Sequence, residues 1–117
     1  MGYSTATARW ANTRDLTLAP SAARTATGNG TAIEVGDRGV ARLRLNVTAA
    51  GGTSPTLAVT IQTSHDGTTW RSAGTFTQAT AVSEQRAAFN IDRFVRAIWT
   101  IGGTTPSLTF AITGDAV

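Results

Sequence analysis

The chain has no cysteine, no lysine and a single histidine, and only 15% of its 117 residues are charged. Without cysteine there can be no disulfide, no thiolate zinc site and no cysteine nucleophile. One histidine and seven acidic residues leave little material for a metal site or for acid–base catalysis. We therefore expect a protein that is not an enzyme, with no catalytic residue, no bound metal ion and no cofactor.

Long apolar runs are also missing, and so is a strong charge imbalance. No segment approaches the roughly 18 to 20 apolar residues of a membrane-spanning helix, so we expect no membrane partner. The ten basic residues are all arginine and lie scattered along the chain. Together with the seven acidic residues they give a net charge of +3. Phosphate binding needs clustered positive charge, so this weak field argues against a nucleic-acid partner.

The chain is instead rich in threonine, alanine and glycine, with 22, 20 and 12 residues. Threonine suits strands, because its branched β-carbon packs well on a pleated surface. Short alternating runs are separated by turn signals, and no segment has a helical period. These patterns predict an all-β fold, an antiparallel, jelly-roll-like β-sandwich of about eight short strands. The length fits one domain, at residues 13–117, behind an extended N-terminal arm of residues 1–12.

The arm shows neither a strand period nor a helix period, and it contains Tyr3, Arg9 and Trp10. Tryptophan and arginine are favoured at interface hot spots, so we predict that these three residues bind a neighbouring subunit. Packing of Trp10 on its own domain is an equal alternative.

The clearest predicted strand runs from Val40 to Thr48. Leu43 and Leu45 alternate there with Arg42 and Arg44, so the leucines point to the core and the arginines to a basic outer face. We predict that Arg42 and Arg44 bind carboxylates of a partner subunit.

Two similar segments, GGTSPTL at 51–57 and GGTTPSL at 102–108, each lead into an alternating strand. Glycine and proline are frequent in turns, so we interpret both segments as equivalent turns rather than as a true repeat.

A further turn is predicted between Ser64 and Trp70. Ser64, His65 and Asp66 could suggest a hydrolytic relay, but adjacent residues on a tight turn cannot align three side chains. We interpret the segment as a structural turn, built on Asp66 and Gly67, that anchors Trp70. Trp70 and Trp99 are then core residues, and sugar-stacking platforms are the alternative. The acidic residues lack the alternating spacing of a calcium loop.

This turn has the pattern Ser-x-Asp-Gly-x-x-Trp, which resembles a strand-plus-turn pattern of discoidin-like and other jelly-roll β-sandwiches. It is also similar to the sialidase Asp-box, but it lacks one residue of that spacing.

The chain as a whole, from Leu16 through the strand at 93–96 to 110–114, resembles small β-sandwich structural proteins of tailed bacteriophages with GC-rich, actinobacterial-type hosts. Arginine without lysine fits such a genome. The resemblance implies a capsid decoration protein of the virion, assembled in the host cytoplasm. It also implies binding to the major capsid protein or other virion subunits as a homo-oligomer, with a trimer favoured. The alternatives are a tail or neck component and, from the jelly-roll turn, a carbohydrate-binding module.

Overall fold

The computed structural model describes residues 13–117, and the predicted arm with Tyr3, Arg9 and Trp10 lies outside the described residues. Seven strands form an antiparallel β fold, which confirms the predicted class. They are β1 (Arg14–Arg24), β2 (Gly28–Asn29), β3 (Ile33–Glu34), β4 (Val40–Ser64), β5 (Trp70–Thr75), β6 (Ser83–Asn90) and β7 (Phe94–Ala116). Between residues 13 and 117, no helix is long and apolar enough to cross a membrane.

Two strands are far longer than the short strands predicted. β4 has 25 residues and β7 has 23, and they pair with each other along almost their whole length. Residues 40–47 and 108–116 pair at their outer sides with β6 and β1, and we call this group layer A. Residues 56–64 and 94–102 pair with β5, β2 and β3, and we call this group layer B. Long strands that switch layers in this way form the corners of a sandwich.

One apolar core joins the two layers. Trp99 of layer B meets Phe110 of layer A edge to face, with ring centroids 5.4 Å apart. Phe76 and Phe89 make the same kind of contact, also at 5.4 Å, near the β5 and β6 side. The alternation along each long strand explains the core, because every second side chain points between the layers. The largest fully buried side chains are Phe110, Leu16, Leu18, Leu45, Leu57, Ile61, Leu108 and Ile112.

The interpretation of the two glycine-proline segments as turns is wrong. Both lie inside the long strands and face each other, with Thr53 opposite Thr104. Gly52 and Gly103 have φ angles of 95° and 112°, a region that side chains rarely adopt. These glycines let two continuous strands bend together from layer A to layer B, so the similar segments are partners in one ladder.

Pro20 lies inside the first strand rather than at its end. β1 continues through it, and the β1–β7 register shifts between Thr17 and Ala19 and again between Ala19 and Ala22. β1 is an edge strand, where proline is tolerated because no neighbour needs its missing N–H.

Candidate partner-binding surface

The outer face of layer A brings the two predicted arginines together. Arg42 and Arg44 are both exposed on β4. Arg42 lies opposite Asp115 on β7, and Arg44 lies opposite Arg86 on β6. The two-residue period of the strand places Arg42 and Arg44 on one side, as the sequence predicts, while the pairing register supplies their neighbours.

Arg42 forms a bidentate ion pair with a carboxylate. Its Nε donates to Oδ1 of Asp115 at 2.8 Å, and its terminal nitrogen donates to Oδ2, also at 2.8 Å. These hydrogen bonds, and then the opposite charge, raise the pKa of the Arg42 guanidinium. The planar guanidinium is therefore fixed in orientation at the surface, with its remaining donors available to a partner.

The face carries charges of both signs in equal number. Glu84 lies 3.1 Å from Arg86 and 3.8 Å from Arg44, measured between nitrogen and oxygen atoms. Asp15 on β1 lies opposite Asp115. With Arg42, three guanidinium groups thus accompany three carboxylates on this face, and Arg42, Arg44, Arg86 and Asp115 line a shallow groove within it. This balance suits a protein surface of mixed charge better than nucleic-acid phosphates.

The outer face of layer B has a different character. The guanidinium of Arg96 stacks 4.2 Å from the centre of the Trp70 ring and donates from Nε to Oε1 of Gln62 at 2.8 Å. Trp70 is half-buried and does not belong to the core, contrary to the prediction. The turn delivers it opposite Ser64 at the start of β5, on the outer side of the sheet.

The two predicted tryptophan anchors are thus separated by the fold. Trp99 is 8% exposed and packs in the core, so it has no ring face for a sugar. Trp70 has one ring face covered by Arg96. A stacked sugar needs an open aromatic face, so Trp99 is not a platform and Trp70 has at most one ring face for a sugar.

The turn before Trp70 is stabilised by hydrogen bonds from its own backbone. Oδ1 of Asp66 accepts from the N–H groups of Thr68 and Thr69, each at 2.9 Å, and from the Ser64 hydroxyl at 3.0 Å. The backbone bonds, with Thr69 first, hold the pKa of the Asp66 carboxyl well below its usual range. Gly67 completes the turn with a φ of 82°. Ser64 and Asp66 are therefore committed to the turn rather than to a relay through His65.

The described part of the chain does not bring potential metal-ligating side chains together. Within residues 13–117, no group of three His, Cys, Asp or Glu side chains lies close enough to hold an ion.

One structural arginine was missed by the sequence reasoning. The guanidinium of Arg24, at the end of β1, lies 4.4 Å from the Phe110 ring centre and 5.0 Å from that of Trp99. It also donates to the carbonyl oxygens of Phe110 at 2.8 Å, Pro20 at 2.6 Å and Ala22 at 3.1 Å. Its partial burial lowers the pKa of this guanidinium. No local pattern marks the residue, because Phe110 is 86 positions away.

Comparisons with known proteins give few matches. No protein family matches the sequence, and no curated protein matches it. Among solved structures, the chain is similar to the SPBc2 prophage-derived protein YomS, with a TM-score of 0.49 and 13% sequence identity. That similarity covers 88% of this chain and 92% of the other.

Proposed function

We propose that this protein is a non-enzymatic structural subunit of a tailed-bacteriophage particle, a decoration protein that binds the outside of the capsid as an oligomer. The observation that carries the proposal is the outer face of layer A, where Arg42 and Arg44 stand exposed around a groove. Interfaces retain arginine while other charged residues are depleted, and this chain has the same bias throughout. The phage particle itself comes from the resemblance of the sequence.

The predicted arm would act at the same end of the molecule. Arg14, the first residue of β1, lies opposite Ala116, and Asp15 follows opposite Asp115. The first strand therefore begins beside the Arg42 ion pair. In this proposal the arm that precedes β1 in the chain, with Trp10 as its anchor, extends the layer A contact onto a neighbouring subunit.

The test is binding of the purified protein to heads and to tails isolated from the phage that encodes it, measured by co-sedimentation. We expect binding to heads, and a loss of at least about tenfold in affinity when Arg42 and Arg44 are both changed to alanine. The matched control changes Arg71 and Arg93 to alanine. Those two are also exposed arginines in surface ion pairs, but they lie away from layer A. The control should bind like the unchanged protein.

The outcomes separate the proposals. Binding to tails alone would replace the head assignment by a tail or neck component. Binding to neither particle would refute a virion role, and equal binding by both double variants would refute the layer A contact. Removal of residues 1–12 tests the arm separately, since the arm predicts weaker binding with an unchanged folded domain.

A further inference from the structure

The edge strands of the described sheet differ in how well they are protected. β1 contains Pro20, and its ladder with β7 shifts register twice. The short strand β5 has one register shift in its ladder with β4. Prolines and bulges of this kind keep edges from pairing with other chains. β6 has neither, because it pairs with β4 over eight residues without a shift.

The outer side of β6 presents unpaired backbone groups. The N–H of Ile91 donates to the carbonyl of Gly39, which sets the phase of the β4–β6 ladder. In an antiparallel ladder, successive residues point their backbone groups alternately toward the partner strand and away from it. The N–H and C=O groups of Glu84, Arg86 and Ala88 therefore point away from β4. Among residues 13–117, no other strand pairs with them.

The side chains along this edge suit antiparallel pairing of β6 with β6 of a second copy of the chain. Val82, just before β6, is 66% exposed, the most exposed large apolar side chain in the described range. If two copies of β6 meet antiparallel about a two-fold axis beside Gln85, Glu84 faces Arg86 of the second copy. Val82 then faces Ala88 of the second copy. If the two-fold axis lay beside Arg86 instead, the backbone groups would also match, but Arg86 would face Arg86 of the second copy. Like charges directly opposite each other are unfavourable.

We propose that a second copy of this chain pairs with the free edge of β6 in this register, so that layer A continues as one sheet through both copies. The contact is isologous, with each copy using the same strand. Backbone hydrogen bonds from Glu84, Arg86 and Ala88 supply the attraction, and the paired charges select the register. This proposal does not depend on capsid binding, since both partners in the contact are copies of this chain.

Charge reversal tests the register with the full chain in sedimentation equilibrium over a range of concentrations. The unchanged protein should form dimers. Glu84→Arg and Arg86→Glu should each raise the dimer dissociation constant about tenfold or more, because each turns two attractive pairs into repulsive ones. The double variant with both changes should recover dimerisation. Glu34→Arg is the control, because it alters charge equally and breaks the surface pair with Arg93 away from this edge.

A proline at Ala88 tests the backbone contact. The N–H of Ala88 points away from β4, so Ala88→Pro removes a donor from the proposed interface and none from the β4 ladder. The dimer should be lost while circular dichroism shows a folded chain, and Ala88→Ser should still dimerise. A chain that stays monomeric at every concentration overturns the proposal. So does a dimer that is unaffected by Ala88→Pro, or one that the double charge reversal fails to restore.

Discussion

The bend between the layers leads to a specific prediction, because two adjacent glycines there should respond oppositely to substitution by alanine. A β-carbon added to Gly52 would lie 2.4 Å from the carbonyl oxygen of Thr105 and 2.8 Å from that of Thr104. Gly52 also has a φ of 95°. Its neighbour Gly51 has no positive φ, and a β-carbon there would meet only the Ser107 oxygen at 3.7 Å, an ordinary contact. The change Gly52→Ala and its control Gly51→Ala thus differ by one position.

The expected cost follows from these contacts. A non-glycine residue held at such a φ costs about 1–3 kcal/mol. Moving the β7 backbone away from the new methyl group adds about 1–3 kcal/mol. The reduced freedom of alanine in the unfolded chain returns about 0.4–1 kcal/mol. The free energy of unfolding of Gly52→Ala should therefore fall by about 1–6 kcal/mol, with a central value of about 3 kcal/mol. For Gly51→Ala only the unfolded-state effect operates, so this variant should be about 0–1 kcal/mol more stable than the unchanged protein.

Urea unfolding followed by tryptophan fluorescence measures both variants, with thermal unfolding as a second reading. For a chain of this length, each kcal/mol corresponds to about 3–6 °C in Tm, so the two variants should differ by about 10 °C or more. Equal stability of Gly51→Ala and Gly52→Ala would show that the two long strands do not bend together at these glycines. The reasoning would fail in the same way if Gly52→Ala were the more stable of the two.

Two further predictions concern the turn and the missed arginine. The pKa of Asp66 is lowered in the folded protein, so its carboxylate stabilises the fold above its usual pKa of 3.8, and this contribution is lost as the pH falls below that value. Asp66→Asn should therefore be less stable than the unchanged protein at pH 7, with the difference shrinking between about pH 4 and pH 2 in urea titrations; a constant difference would contradict the assignment. Arg24→Ala should lower the free energy of unfolding by about 1–3 kcal/mol, because contacts with two rings and three carbonyl groups are lost. Arg24→Lys should recover only part of that loss, whereas full recovery would show that the planar guanidinium does not matter.

The sequence predicted the faces of strands better than their lengths. Alternation alone put Leu43 and Leu45 in the core and Arg42 and Arg44 outside, because side chains along a strand point to opposite faces by covalent geometry. Strand ends depended on glycine and proline, and there the prediction failed. A glycine with positive φ makes a turn when the chain reverses and a bend when the strand continues, and local sequence does not distinguish the two.

For the candidate surface, too, the sequence determined some features and the tertiary structure determined others. The residue types and the period of β4 determined that two arginines share an outer face. Only the tertiary structure decided that Asp115 holds one of them and that Glu84 lies between the other and Arg86, because those partners arrive through pairing registers between distant segments. Trp70 shows the limit most clearly. Its sequence predicts a core anchor, but the register of β5 on β4 places it outside against Arg96. A shift of one residue in a strand exchanges its two faces, and that shift is set by the partner strand rather than by the strand's own sequence.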